Sequence, residues 1–330
     1  MTATTTGVAT AAPVTERTRV GWGDLAWLTW RQHRWTILGT TLVVVGIVAL
    51  ALGMAWHVDA TGRTHELFGR WRYLSVGQVL VLTPALFGLV VGAFWGAPLV
   101  SREHEQRTHL VAWGQDITAT RWLAGKVVLL GVPAAALAAG LGLALITMMN
   151  SINAVTTDYA PFVPFDVPAF EAAPQVQVGY AAFGFALGLA FSATTRRTVL
   201  SMGLTVGLFV AVRAVVAAGW RPYFQAPVRF VEEYDEFDRP WSGHDGTWSV
   251  HGGFVDGAGN EVPFPSACDQ VQGIGEYARC LKETGVRYFV DHHPADRLVP
   301  FQLFESTIFT ALAAGLLALT FLWVRRARRV

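Results

Sequence analysis

The residues that could bind or react fall into a few groups. His292 and His293, with Asp291 and Asp296, have the chemistry of metal ligands but not the spacing. Adjacent histidines do not readily share one ion, and no HExxH pair is present, so no metal is expected. No GxSxG elbow supports a hydrolase. No GxxxxGK[ST] loop cradles a phosphate, since Gly125-Lys126 is followed by Val127. Arg213 is an ionisable side chain well inside an apolar run, and Glu305 lies near the end of another. Proton-coupled transporters carry Asp, Glu or His relays inside their spans, and none is evident. The expectation is therefore a chain with no catalytic residue, no bound cofactor and no energy source of its own. Any uphill work falls to a separate ATPase that holds ATP and Mg.

The most patterned polar stretch is residues 102–126, REHEQRTHLVAWGQDITATRWLAGK. It interrupts two uncharged runs, Val79–Val100 and Val127–Met149. Residues 103–113 read as a short surface helix ended by Gly114, with Asp116 or Thr118 capping the next helix. Cys268 and Cys280 are the two cysteines of the chain. Both fall in one polar segment, where they form either a disulfide or two buried thiols.

Those groups must be positioned by membrane helices. The chain has 330 residues, is 52% hydrophobic and only 15% charged, against about 25% in soluble domains. Its net charge of +1 points to no nucleic-acid partner. Six runs can each span a bilayer, which needs about 20 residues: Thr36–Trp56, Val79–Val100, Leu123–Met149, Val176–Ala193, Val199–Gly219 and Phe301–Val324. Backbone polar groups in lipid force helices or closed barrels, and strand alternation is absent. The fold class is thus all-α and polytopic, with six transmembrane helices and a small mixed extracytoplasmic domain between helices five and six.

The division expected is a disordered cytoplasmic tail at 1–16 and an interfacial amphipathic helix at 17–35. Helices one to five follow at 36–220, with the polar helix at 102–113 between the second and third. The extracytoplasmic domain covers 221–300, and helix six with a basic tail covers 301–330. Basic residues at the N-terminus, in 102–126, at Arg196-Arg197 and after Trp323 share one face, which puts both termini in the cytoplasm of a cell-membrane protein. The short loop with Arg63, Arg70 and Arg72 disagrees with that rule. The outer segment carries thirteen carboxylates against seven Arg or Lys and is exempt as a long loop. Gly88, Gly92 and Gly96, Gly184 and Gly188, and Gly203 and Gly207 form small-residue rows, for packing within one bundle or along a dimer seam. Pro84 and Pro133 should kink spans two and three.

Glu103-His104-Glu105-Gln106-Arg107-Thr108, then Trp113–Thr118, then Arg121-Trp122-Leu123 and Lys126, resemble the loop after the second membrane helix of ABC-2-type transporter permeases. Gln106-Arg107 departs from the more usual Arg-Gly before Thr108. Trp27–Trp35 and Phe94–Leu99 are also similar to actinobacterial members of that family. The resemblance implies a separate ATPase partner docking on Glu103, His104, Glu105, Arg107, Thr108 and Trp113, with Arg196 and Arg197 as a second contact. It also implies export, and a second permease copy beside this one, the same or a related chain. The expected path is apolar and aromatic, lined by Phe87, Phe94, Trp95, Phe183 and Phe185, which suits an amphipathic or lipophilic compound such as an antibiotic, drug or lipid. Those aromatics are equally compatible with a core or lipid-facing role. Arg213 either binds an anionic group or snorkels to the outer interface, and snorkelling is the simpler expectation. The rival reading is a non-transport membrane sensor or assembly factor acting through 221–300.

Overall fold

A computed structural model describes residues 21–64, 73–106, 118–156, 160–232, 246–271 and 273–326. Helix α1 (Trp22–Thr61) runs 40 residues without a break. At 1.5 Å per residue that is about 60 Å, twice the bilayer's hydrocarbon. Residues 22–35 thus continue the first span directly. Exposed Trp22, Trp27 and Trp35 are stacked there with Arg121, Arg31 and Arg34, at 5.3, 5.2 and 5.4 Å.

The second span is assembled from pieces. Helix α2 (Tyr73–Leu80) ends in a turn, and Pro84 opens α3 (Thr83–Val90), where its missing N–H costs nothing. A π-helical turn, Val91–Gly96, leads into α4 (Pro98–Glu105). The third span is α5 (Ala119–Val155), which carries Pro133 inside an unbroken helix. Thr118 caps it, its hydroxyl accepting the Arg121 N–H at 3.3 Å. A short helix, α6 (Val167–Glu171), then precedes α7 (Pro174–Thr195), α8 (Thr198–Ala214) and, after a small sheet domain, α10 (Leu298–Arg326). Among the described residues six helices are long and apolar enough to cross a membrane, and they pack into one helical bundle.

Two of the glycine rows face each other. A Cβ at Gly92 would meet the Gly184 carbonyl oxygen at 2.7 Å, and one at Gly188 the Ala97 nitrogen at 2.7 Å. Only glycine lets α3 and the π turn lie this close to α7. These rows pack the protomer's own bundle. Gly203 and Gly207 differ, because a Cβ at either meets open space on the outer face of α8.

Between α8 and α10 lies a four-stranded antiparallel sheet of order β1-β4-β2-β3. Its strands are β1 (Val228–Glu232), β2 (Trp248–Val255), β3 (Glu261–Val262) and β4 (Arg287–His293). Cys268 and Cys280 are disulfide-bonded, with Cα atoms 5.9 Å apart, and tie α9 (Ile274–Glu283) to the preceding turn. The disulfide, not the pair of free thiols, is what the fold contains. The domain seats on the bundle through aromatic rings: Phe165 lies 5.6 Å from Trp248 and 6.0 Å from Phe301.

Candidate functional site

Two polar clusters occupy opposite ends of the bundle. The first lies where α4 ends. Its last turn carries Arg102, Glu103, His104 and Glu105, as a continuation of the second span. Glu103 turns inward, is 9% exposed, and forms an ion pair with buried Lys126 of α5. Lys126 also lies over the Trp122 ring at 4.3 Å. Glu105 stays exposed but reaches the start of α8. Its two carboxylate oxygens accept the Thr198 N–H and hydroxyl, each at 2.8 Å. A carboxylate at a helix N-terminus satisfies orphan donors and suits the helix dipole. Here the cap comes from 93 residues away.

Ser192 adds a second tie. Its hydroxyl accepts the N–H groups of Val100 and Ser101 at 2.9 and 2.7 Å, and the Ser101 and Thr198 hydroxyls lie 3.1 Å apart. Arg196, the only non-glycine with positive φ among the described residues, makes the tight α7–α8 turn and stacks on Trp323 of α10. The expected contact regions at 103–105 and 196–197 are thus brought together through Thr198. Arg107, Thr108 and Trp113 lie outside the described residues.

The second cluster lies at the end carrying the sheet domain. Glu171, at the end of α6, Tyr180 of α7, Arg221 after α8 and Glu305 of α10 are all essentially buried. Arg221 donates through Nε and Nη2 to the two Glu305 oxygens, both at 2.7 Å, and through Nη2 to Glu171 at 3.1 Å. Tyr180 donates to Glu305 and lies 3.2 Å from Glu171. Arg213 forms an ion pair with Glu171. Two guanidinium groups thus balance two carboxylates where isolated charges would cost several kcal/mol each. Gln177 and Gln302 donate to the backbone carbonyls of Glu171 and Phe170, which fixes α6 against α7 and α10. Position 142 of α5 must be glycine for this turn to fit, because a Cβ there would touch Pro174 at 3.0 Å.

The expectation that Arg213 snorkels is corrected. Its side chain is 22% exposed and paired with Glu171, which the sequence places in a loop and the fold tucks beneath the sheet domain. Sequence reasoning names Lys126 in the family resemblance but not its pairing with Glu103, and it does not single out Glu171, Tyr180 or Arg221. The available signal was weak: each is a lone charge or phenol at the edge of an apolar run. Of the five aromatics expected to line a path, Phe87, Trp95, Phe183 and Phe185 are buried within the bundle, and Phe94 is 53% exposed. Trp95 donates to the Thr40 hydroxyl at 3.2 Å. Asp291 is held by Arg229 at 2.8 Å, and His293 by the Pro222 carbonyl at 2.9 Å, so each of these ligand-type residues has its own structural partner.

A bundle of long apolar helices whose ends are cross-tied by charge, with a small disulfide-bonded domain on one end, is the architecture of a multi-pass membrane protein. The family described as ABC-2 membrane transporter related matches residues 58–221, about half of the chain, and over that stretch the chain belongs to it. No curated protein and no solved structure matches. The matched region holds spans two to five, including Glu103, Glu105, Lys126, Glu171, Arg213 and Arg221. The chain is accordingly a membrane permease component of an ABC transporter, a class whose ATPase is separate.

Proposed function

We propose that this chain is the membrane-spanning subunit of an ATP-driven exporter that moves an amphipathic or lipophilic compound outward. The observation that carries the reading is the double tie at the end of α4. A force on residues 102–113 would reach the third span through Glu103–Lys126 and the fifth through Glu105–Thr198. The partner ATPase, holding ATP and Mg, docks on that segment with Trp113 as an apolar anchor and the charges setting register. Arg196 and Arg197 flank the same surface. Both termini are cytoplasmic in this reading, because the basic residues near the start of α1, at the end of α4, in the α7–α8 turn and after Trp323 share that end. The outer charge cluster then closes the opposite side at rest.

A second copy packs against the open Gly203–Gly207 face of α8, where small residues let another helix approach. The cargo path runs between the copies past Phe94, with Phe87 and the buried Trp95, Phe183 and Phe185 forming the wall behind it. The affinity purification of tagged protein with Trp113→Ala and Glu105→Gln tests this. Trp113→Ala should lose the ATPase. Glu105→Gln should keep the ATPase but weaken cargo-stimulated hydrolysis. An ATPase that never co-purifies sinks the reading. Attention would then move to a sensor role for the sheet domain, whose edge strand β1 exposes Val228, Phe230 and Val231.

A further inference from the structure

A cavity of about 420 Å³ opens between α1, α3 and α5. Gly39, Val43 and Ile47 of α1, Leu86 and Val90 of the second span, and Leu141 of α5 line it. That volume is within the roughly 300–1,000 Å³ of small-molecule pockets. Its two lining hydroxyls are engaged: Thr83 donates to the Leu80 carbonyl at 2.7 Å, and Thr40 accepts from Trp95. The rim is apolar and faces outward, with Val43 62% and Leu86 57% exposed. The occupant must therefore be hydrocarbon.

The depth and charge of the site say which hydrocarbon. Gly39 is six residues, about 9 Å, along α1 from His33, and Ile47 is about 21 Å from it. That interval matches one leaflet's hydrocarbon, roughly 15 Å. Near His33 lies Arg102, exposed at the end of α4. Among the described residues Lys126 is paired with Glu103, whereas Arg31, Arg34, Arg102 and Arg121, like Arg196, Arg197, Arg325 and Arg326 at the same end, form no ion pair with a carboxylate. Arg34 and Arg31 lie five and eight residues before Gly39 on α1, about 8 and 12 Å from the foot of the cavity, which makes that end basic, and the lining is apolar apart from the two engaged hydroxyls.

We propose that this cavity binds one acyl chain of an anionic phospholipid from the leaflet at the basic end, with the lipid's phosphate held by Arg102. The lipid enters sideways from the bilayer. It seats α1 against the second span on the side where Trp95 holds Thr40. The site does not depend on the direction of transport or on the identity of the cargo. Its failure is therefore distinguishable from failure of the ATPase reading, which the co-purification decides.

Gly39 supplies a clean test, because it lines the cavity and a Cβ there meets open space. Gly46 is a matched control: it too faces open space on α1, but it does not line the cavity. The purified full chain is placed in nanodiscs containing phosphatidylglycerol with a photoreactive acyl chain, or phosphatidylcholine with the same chain. Labelled peptides are mapped by mass spectrometry. The expected result is preferential phosphatidylglycerol labelling at residues 39–47 and 86–90. Gly39→Phe should abolish it, Gly46→Phe should retain it, and Arg102→Gln should reduce it to the phosphatidylcholine level. Gly39→Leu serves if the phenylalanine variant does not elute with the wild type. Labelling that survives filling the cavity, falls equally in the control, or is the same for both lipids in the wild type would overturn the proposal.

Discussion

Arg221 shows how much one side chain can hold at membrane depth. It is 1% exposed, grips Glu305 with two hydrogen bonds and reaches Glu171 with a third contact. Replacing only Arg221 leaves two buried carboxylates with one remaining guanidinium. Breaking a buried pair this way costs about 3–5 kcal/mol, because the orphaned charge stays desolvated. Arg221→Met should accordingly lower the thermal unfolding midpoint of the purified protein steeply. Arg221→Met with Glu305→Leu removes both ends of the strongest pair and leaves Glu171 with Arg213, so it should recover most of that loss. A single variant as stable as wild type would show that the cluster is wet. This cluster was not legible in the sequence for a physical reason. Glu171, Arg213, Arg221 and Glu305 come from four different elements, and ionic pairing leaves no periodic trace. Of the four, Glu305 attracts notice near the end of an apolar run and Arg213, more conspicuously, inside one. Its partner sits in a segment that reads as a loop.

The helices themselves were largely legible, since spans of about 20 apolar residues announce their length. Their internal breaks were not. The turn before Thr83 follows from Pro84, but the π turn at Val91–Gly96 lies in an uninterrupted apolar run. The glycine rows were legible as rows, and their facing partner was not, because spacing on one helix does not name the other. Geometry now separates the rows into two classes with opposite expected behaviour. Gly188→Ala forces a methyl against the Ala97 nitrogen, and such overpacking costs about 1–3 kcal/mol. Differential scanning fluorimetry of the detergent-solubilised protein should register that loss. Gly203→Leu with Gly207→Leu meets nothing in the protomer and should leave its melting unchanged or raised, since glycine in a helix is about 1 kcal/mol worse than alanine. The same double variant should shift the particle from two copies to one in mass photometry if α8 forms the seam. A dimer that survives both leucines places the second copy elsewhere.

At the scale of the whole molecule, the sheet domain and the bundle meet at an aromatic seam with a titratable ring, His293, in it. His293 is fully buried and lies 4.7 Å from Phe301 and 5.6 Å from Trp248. Its Nε2 faces the Pro222 carbonyl at 2.9 Å, so that nitrogen carries the proton, and Nδ1 accepts from Arg297 at 3.2 Å. A second proton on Nδ1 would destroy that acceptor and set the ring's charge against a guanidinium. Burial, chiefly, holds the His293 pKa below its ordinary 6.5, with Arg297 and His292 adding to the effect. A depressed folded value means that the unfolded chain binds the proton first. The stability from neutral His293 is therefore complete above about pH 6.5 and is lost as pH falls from there to the folded value. Asp291, lowered by its hydrogen bond to Arg229, holds its contribution to much lower pH, and loses it only as pH falls below the carboxylate's ordinary 3.8. The seam should thus loosen in two separate acid steps. Hydrogen exchange of β4 and the start of α10, followed from pH 8 to 5, should show opening that grows below pH 6.5. The slope should vanish in His293→Gln, whose amide can still donate to Pro222 but does not titrate. Persistence of the same slope in that variant would move the acid sensitivity to another group.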